Sequence, residues 1–134
     1  MWRAAWTRIA MQPKQNYPID NNTQNKMAKY VYISGPVTGR DYEEAKAEFD
    51  KAAYEIKKKH GEAVFVVNPF DFCSKGEDWN YAMKKSIVNL TTCNYIHTLP
   101  GFEQSRGARL EVTIATALRF GLCDEQYNLV DYGE

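Results

Sequence analysis

The stretch YIHTLPGFEQSRGARLEVTIATALRFG, residues 95–121, decides the fold. Residues 95–99 are rich in strand formers and stop at Pro100-Gly101, a pair that breaks both strand and helix. A polar loop follows, and from Ser105-Arg106-Gly107 the spacing becomes that of a helix. Ala108, Glu111, Ala115 and Leu118 recur at i, i+3, i+7 and i+10, so they share one face. Leu110, Ile114 and Ala117 form the adjoining stripe. Glu111 is the anomaly in this pattern. A carboxylate among apolar neighbours costs stability unless it is paired or used. Its second-turn position is near the positive end of the helix dipole, which favours the ionised form. That suits a nucleophile; a solvated helix-start carboxylate is the competing reading.

Working outward, the rest of the chain alternates in the same way. Residues 30–34 form a short β-rich run ending at Gly35-Pro36. Ala45, Phe49, Ala52 and Ile56 then mark one face of a helix, with Thr38 or Asp41 as its N-cap. Lys57, Lys58, Lys59 and His60 crowd its last turn and Gly61 ends it, as dipole and C-cap preferences require. Residues 63–67, AVFVV, read as a buried strand stopped at Asn68-Pro69. A second helix carries Met83, Ile87 and Leu90 inward, Gly121 closes the helix of Glu111, and a last strand lies near residues 127–130. Strands alternating with helices imply a parallel sheet covered on both faces. Ligands of such sheets bind beyond the carboxyl ends of the strands. The loops 35–40, 68–79 and 100–107 meet there.

Composition narrows the class. The chain has 134 residues, 44% apolar and 25% charged, which is an ordinary globular balance for one domain. With 17 basic and 17 acidic side chains the net charge is zero, so no nucleic-acid polymer is expected as a partner. No run approaches the roughly 20 apolar residues of a membrane span, so no membrane partner is expected either. Cys73, Cys93 and Cys123 are odd in number and lack a CxxC or a nearby His pair. They read as small buried thiols in a reducing, cytoplasmic setting, with no disulfide framework and no metal site.

Residues 1–26 differ from the rest. They hold four basic side chains and one acid and are rich in Asn and Gln, whereas the remainder carries 13 basic and 16 acidic residues. Met27-Ala28-Lys29 looks like a start leading into the first strand. The segment fits an upstream extension, an added leader or a short arm packed on a partner. The expected division is therefore 1–26 as an extension and 27–134 as the domain.

The domain resembles the nucleoside 2-deoxyribosyltransferase-like superfamily, in particular its short phage and bacterial members. The resemblance runs from about Lys29 to Gly121. It rests on an ordered set: YISGPVTGR (residues 32–40), Asn68-Pro69, Trp79 with Met83, and LPGFEQSRGARLE (residues 99–111). It implies a flavodoxin-like (Rossmann-like) three-layer α/β fold with a parallel sheet of four to five strands. It also implies cleavage of the N-glycosidic bond of deoxynucleosides or nucleoside 5′-monophosphates, with no cofactor and no metal. By the same resemblance Glu111 is the nucleophile and Tyr32 its catalytic neighbour. Gly35, Pro36, Arg40, Ser105, Arg106 and Gly107 hold the substrate. A carboxylate suits this chemistry because it traps an oxocarbenium-like centre as a glycosyl-enzyme. Release to water makes a hydrolase; release to a second base makes a deoxyribosyltransferase. Relatives are homo-oligomers, so a homo-oligomer is expected, with a nucleoside or nucleotide as the small-molecule partner.

Three positions depart from the relatives. Ser86 stands where they usually have an aspartate on the second helix, and Cys93-Asn94 replaces a Cys-Asp pair. These two changes favour a catalytically impaired nucleotide-binding protein as the alternative. Ser105 replaces the aspartate of the transferases and is similar to the serine with which monophosphate hydrolases contact the 5′-phosphate. It fits a helix N-cap equally well, and Gly35 to Gly39 also fits a plain strand-to-helix turn.

Overall fold

The computed structural model describes residues 28–133; the extension expected at residues 1–26 lies outside them. The centre of the sheet is β1 (Lys29–Ser34), whose last four residues are fully buried. Successive side chains of a strand point to opposite faces. Val31 and Ile33 therefore join one core cluster and Tyr32 the other.

The first cluster is built by α1 (Tyr42–His60), which lays Ala45, Phe49, Ala52 and Ile56 on the sheet. Asp41, not Thr38, is its N-cap: its Oδ2 accepts the Glu44 N–H at 2.9 Å. Gly61 at φ 62° ends it after four basic residues. Three further strands are β2 (Val64–Val67), β3 (Tyr95–Thr98) and β4 (Gly121–Cys123). The opposite face is covered by α2 (Trp79–Leu90) and α3 (Arg106–Ala117), which bring Leu90 and Ala115 onto Tyr32, Cys93 and Ile96. The result is three layers, α1 on one side and α2 with α3 on the other.

A fifth strand, β5 (Leu129–Val130), completes a sheet ordered β2-β1-β3-β4-β5. The first four strands are parallel, and β5 runs antiparallel to β4. The chain moves from β1 outward to β2, then returns across β1 to β3. Because crossover connections are right-handed, this reversal forces α1 and α2 onto opposite faces. It also opens a crevice between the loops that leave β1 and β3, the switch point at which such sheets bind ligands. The four-to-five-strand flavodoxin-like expectation holds.

Several local expectations change. Residue 63 belongs to a short 3₁₀ turn, so β2 starts at Val64. On α2 the buried residues are Met83, Ser86 and Leu90, with Ile87 half-buried. α3 stops at Ala117, and Gly121 opens β4 instead of closing the helix. Leu110 and Leu118 are exposed, so only part of the apolar stripe of α3 faces the core. β4 has three residues and β5 two, too short to show a period. Among the described residues no helix is long and apolar enough to cross a membrane.

Gly121 is required by a close approach. A Cβ there would lie 2.5 Å from the Tyr95 ring and 2.7 Å from the Val130 carbonyl oxygen. Neither a ring wedged in the sheet nor a ladder carbonyl gives way easily. Gly121→Ala is expected to destabilise the fold by about 1–3 kcal/mol, the usual range for overpacking. Urea denaturation should show a lowered midpoint with the slope unchanged; an unmoved midpoint would refute the close approach.

Candidate functional site

A cleft of about 630 Å³ opens at the β1/β3 switch point. Three loops shape it, each fixed by local chemistry. After β1, the Arg40 N–H closes a turn on the Val37 carbonyl at 3.1 Å. Arg40 Nη1 donates to the Pro36 carbonyl at 3.0 Å and to Glu48 on α1 at 3.1 Å. After β2, buried Asn68 accepts from the Phe70 N–H and donates to Asp50 on α1 at 2.8 Å. After β3, the loop ends at Ser105, whose Oγ accepts the Ala108 N–H at 3.2 Å. Ser105 is therefore the N-cap of α3. Gly35 lets the first and third loops meet, since a Cβ on it would stand 2.8 Å from Leu99 Cβ.

Glu111 lines this cleft and is 6% exposed. Both carboxylate oxygens are held from β1. The Tyr32 hydroxyl donates to Oε2 at 2.6 Å and the Ser34 hydroxyl to Oε1 at 2.7 Å. Tyr32 and Ser34 are two residues apart, so the strand period points both at the same face. Burial pushes the Glu111 carboxyl above its ordinary range, and the two hydroxyl donors oppose that shift. The Tyr32 phenol is pushed well above its usual value, first by burial and then by the neighbouring Glu111 charge. It stays protonated and remains a donor.

The solvated reading of Glu111 is thereby excluded. The sequence-expected residues divide into groups. Gly35, Arg40, Ser105 and Gly107 line the cleft with Glu111, and Tyr32 reaches Glu111 from the sheet behind it. Pro36 and Arg106 are not part of the lining. Pro36 contributes its carbonyl to Arg40, and the Arg106 guanidinium stacks over Trp79 at 4.0 Å from the ring centroid.

Ser34 escaped the sequence reading. Its signal was the strand period counted from Tyr32, ending at Gly35. Tyr42, Phe70 and Trp79 add an aromatic wall to the cleft, with Phe70 edge-on to both Tyr42 and Phe49. Cys73 also lines the cleft and is only partly buried, a correction to the expectation of three buried thiols. Its Sγ lies 3.8 Å from Ser86 Oγ. His97, in contrast, is buried with Nδ1 2.9 Å from the Cys123 carbonyl, and burial lowers its pKa. Among the described residues no three His, Cys, Asp or Glu side chains gather as metal ligands.

Comparison with known proteins agrees with this architecture. Residues 29–124 match a family model described as "Domain of unknown function (DUF4406)". Among solved structures the chain is similar to one described as "2-desoxiribosyltransferase from Leishmania mexicana", at 20% identity and a TM-score of 0.50. That match spans 78% of this chain and 80% of the other. At this identity the likeness shows a common fold, in keeping with the resemblance seen in the sequence motifs. No curated protein matches the chain.

The buried carboxylate has a thermodynamic signature. Its pKa is raised from about 4.5 in the folded state, so between the two values the native protein binds more protons than the unfolded chain. Stability then falls as pH rises through that window and levels off above the folded pKa. Glu111→Gln removes this loss. The variant should melt above the wild type near pH 7, with the gap closing as pH drops below about 4.5. Thermal melts from pH 4 to 8 read this directly; a gap that ignores pH would show that ionisation of Glu111 is not the source of the cost.

Proposed function

The chain belongs to the DUF4406 family, and we propose that it is a nucleotide N-glycosidase cleaving the base–sugar bond of (deoxy)nucleoside 5′-monophosphates. The single observation that carries this reading is Glu111: a cleft-lining carboxylate with each oxygen held by one hydroxyl donor. A nucleophile for C1′ must be ionised, fixed in one orientation and only lightly solvated. Tyr32 and Ser34 supply the orientation and favour the ionised form against the burial that disfavours it.

In the first step a Glu111 oxygen bonds to C1′ as the bond to the base nitrogen breaks. In the second, water attacks C1′ and Glu111 leaves as a carboxylate. The same two hydroxyls stabilise the charge that reappears on it. Tyr32 and Ser34 thus serve both steps without donating a proton to the substrate.

The substrate end is read from the loops. Arg40 is held by Glu48 and the Pro36 carbonyl through Nη1, which leaves its other guanidinium nitrogens for an anion. The Ser105 hydroxyl accepts from Ala108 and so still has its proton to donate. The start of α3 adds N–H groups that favour a phosphate. Arg106 is directed to Trp79 and is assigned no phosphate contact. The aromatic wall of Tyr42, Phe70 and Trp79 suits a stacked base. The catalytic domain in this reading is 27–134. Exposed Tyr81 and Val88 on α2, Leu110 on α3 and Leu118 just beyond it support assembly with a second copy.

Transfer of deoxyribose between bases shares the first step and differs only in the acceptor. Ser86, in place of an acid on α2, is the observation that favours a binding protein without turnover.

The decisive experiment follows free-base release from ribo- and deoxynucleosides and their 5′-monophosphates by chromatography. Wild type should release base, and Glu111→Ala should lower the rate by about a thousandfold or more, as loss of a covalent nucleophile does. Acceleration by an added free base would identify a transferase. No release from any substrate, while a nucleotide still raises the melting temperature, would sink the enzyme reading.

A further inference from the structure

Glycosidic cleavage normally employs two carboxyl groups, one on the sugar and one that protonates the departing group. Among the described residues three carboxyl side chains line the cleft: Asp41, Glu77 and Glu111. Under the proposed function Glu111 is the nucleophile. Glu77 has both oxygens engaged. Oε2 is 2.6 Å from Lys85 Nζ, and Oε1 accepts the Ser74 N–H at 2.8 Å. The lysine holds this carboxyl below its ordinary range, so it has no proton to give near neutrality. Asp41 is exposed and its Oδ2 is committed to the Glu44 N–H as the cap of α1.

The other candidates are weak acids. Ser86 is buried on the cleft wall with its Oγ 3.8 Å from the Cys73 thiol, and that thiol is pushed up by burial. Tyr32 is pushed up further and donates to Glu111. Among the described residues, hydroxyls of Thr38, Tyr42, Ser74 and Ser105 complete the cleft's oxygen donors. Such groups hydrogen-bond to a leaving base but do not transfer a proton to it at useful rates, because general-acid efficiency requires a pKa near the working pH.

We propose that this cleft is selective for substrates whose base departs without being protonated by the protein, and that Ser86 is the residue setting that selectivity. The inference rests on the glycosidase reading above. As Glu111 bonds to C1′, the electron pair of the C1′–N bond must be taken up entirely by the base. Two kinds of base share this chemistry. An acidic, uracil-like base leaves as a stabilised anion and takes its proton afterwards from solvent. A base that already carries positive charge, such as an N7-alkylated purine, leaves neutral. Water then adds hydroxide to C1′ and gives its proton to solvent, so the sugar, the free base and the Glu111 carboxylate balance. Electron-rich neutral bases such as adenine are poor substrates.

The test measures kcat/KM for base release from 2′-deoxyuridine and its 5′-monophosphate carrying fluorine, hydrogen or methyl at C5. The 7-methylguanine and guanine deoxynucleotides are run beside them. Release is expected to rise about three- to tenfold per unit of base acidity, and the 7-methylguanine nucleotide to exceed its parent by about a hundredfold. Ser86→Asp would place a carboxyl on the wall of the cleft that Glu111 also lines, where like-charge repulsion favours a protonated member of the pair. It should flatten the series and raise adenine release relative to uracil release. Rates within about threefold across all bases in the wild type would reveal an efficient proton donor and overturn the inference. The wild-type series decides the matter even if the variant fails to fold. Absence of release from every substrate, including the charged purine, is a different failure: it removes the glycosidase reading and this inference with it.

Discussion

The structure turns on the two hydrogen bonds that β1 gives to Glu111. An ionised carboxylate taken out of water without partners is prohibitively costly. Here one strand supplies both donors, two residues apart, to a helix nearly eighty residues further on. Charge-assisted bonds of this kind are short and strong. They cross from the centre of the sheet to the layer above it, so the site cannot form until β1, β3 and α3 are assembled. The same bonds fix the carboxylate's orientation, so the pairing that stabilises the buried acid also sets how it faces the cleft.

Topology explains why the carboxylate meets a cleft. Reversal of the chain at β1 separates the loops that follow β1 and β3, leaving a crevice between them. The beginnings of α1 and α3 come to its rim. Each loop is tied back by a side chain acting on backbone: Arg40 on the Pro36 carbonyl, Asn68 on the Phe70 N–H, Ser105 on the Ala108 N–H. Asn68 and Arg40 are in turn anchored to α1 through Asp50 and Glu48. The cleft's walls are therefore extensions of the packed layers.

Polar satisfaction is complete among the described residues: no buried side-chain nitrogen or oxygen lacks a partner. The expense of the buried acid is reduced locally by its two hydroxyl donors and leaves no second anomaly in the core. His97 illustrates the contrast. It is as buried as Glu111, but one ring nitrogen meets a backbone carbonyl and the ring packs by Tyr127, a structural arrangement with no outlet to the cleft.

The sequence alone determined the alternation of strands and helices, the parallel sheet and the placing of Glu111 among apolar residues. These follow from local rules. Helical spacing put Glu111 on the apolar face of α3, and Gly, Pro and cap residues marked most element ends. Short β4, the early stop of α3 and the exposed Leu110 and Leu118 were not legible, because a three-residue strand carries no period and a stripe does not say which half will be covered. The last strand, expected near residues 127–130, is β5. Only the tertiary structure decided that Ser34 joins Tyr32 on the carboxylate, that Arg106 turns to Trp79, and that Glu77 is locked by Lys85. Each of those outcomes depends on which distant groups the fold brings within three or four ångströms; spacing could put Ser34 on the face of Tyr32 but could not say that Glu111 would meet that face.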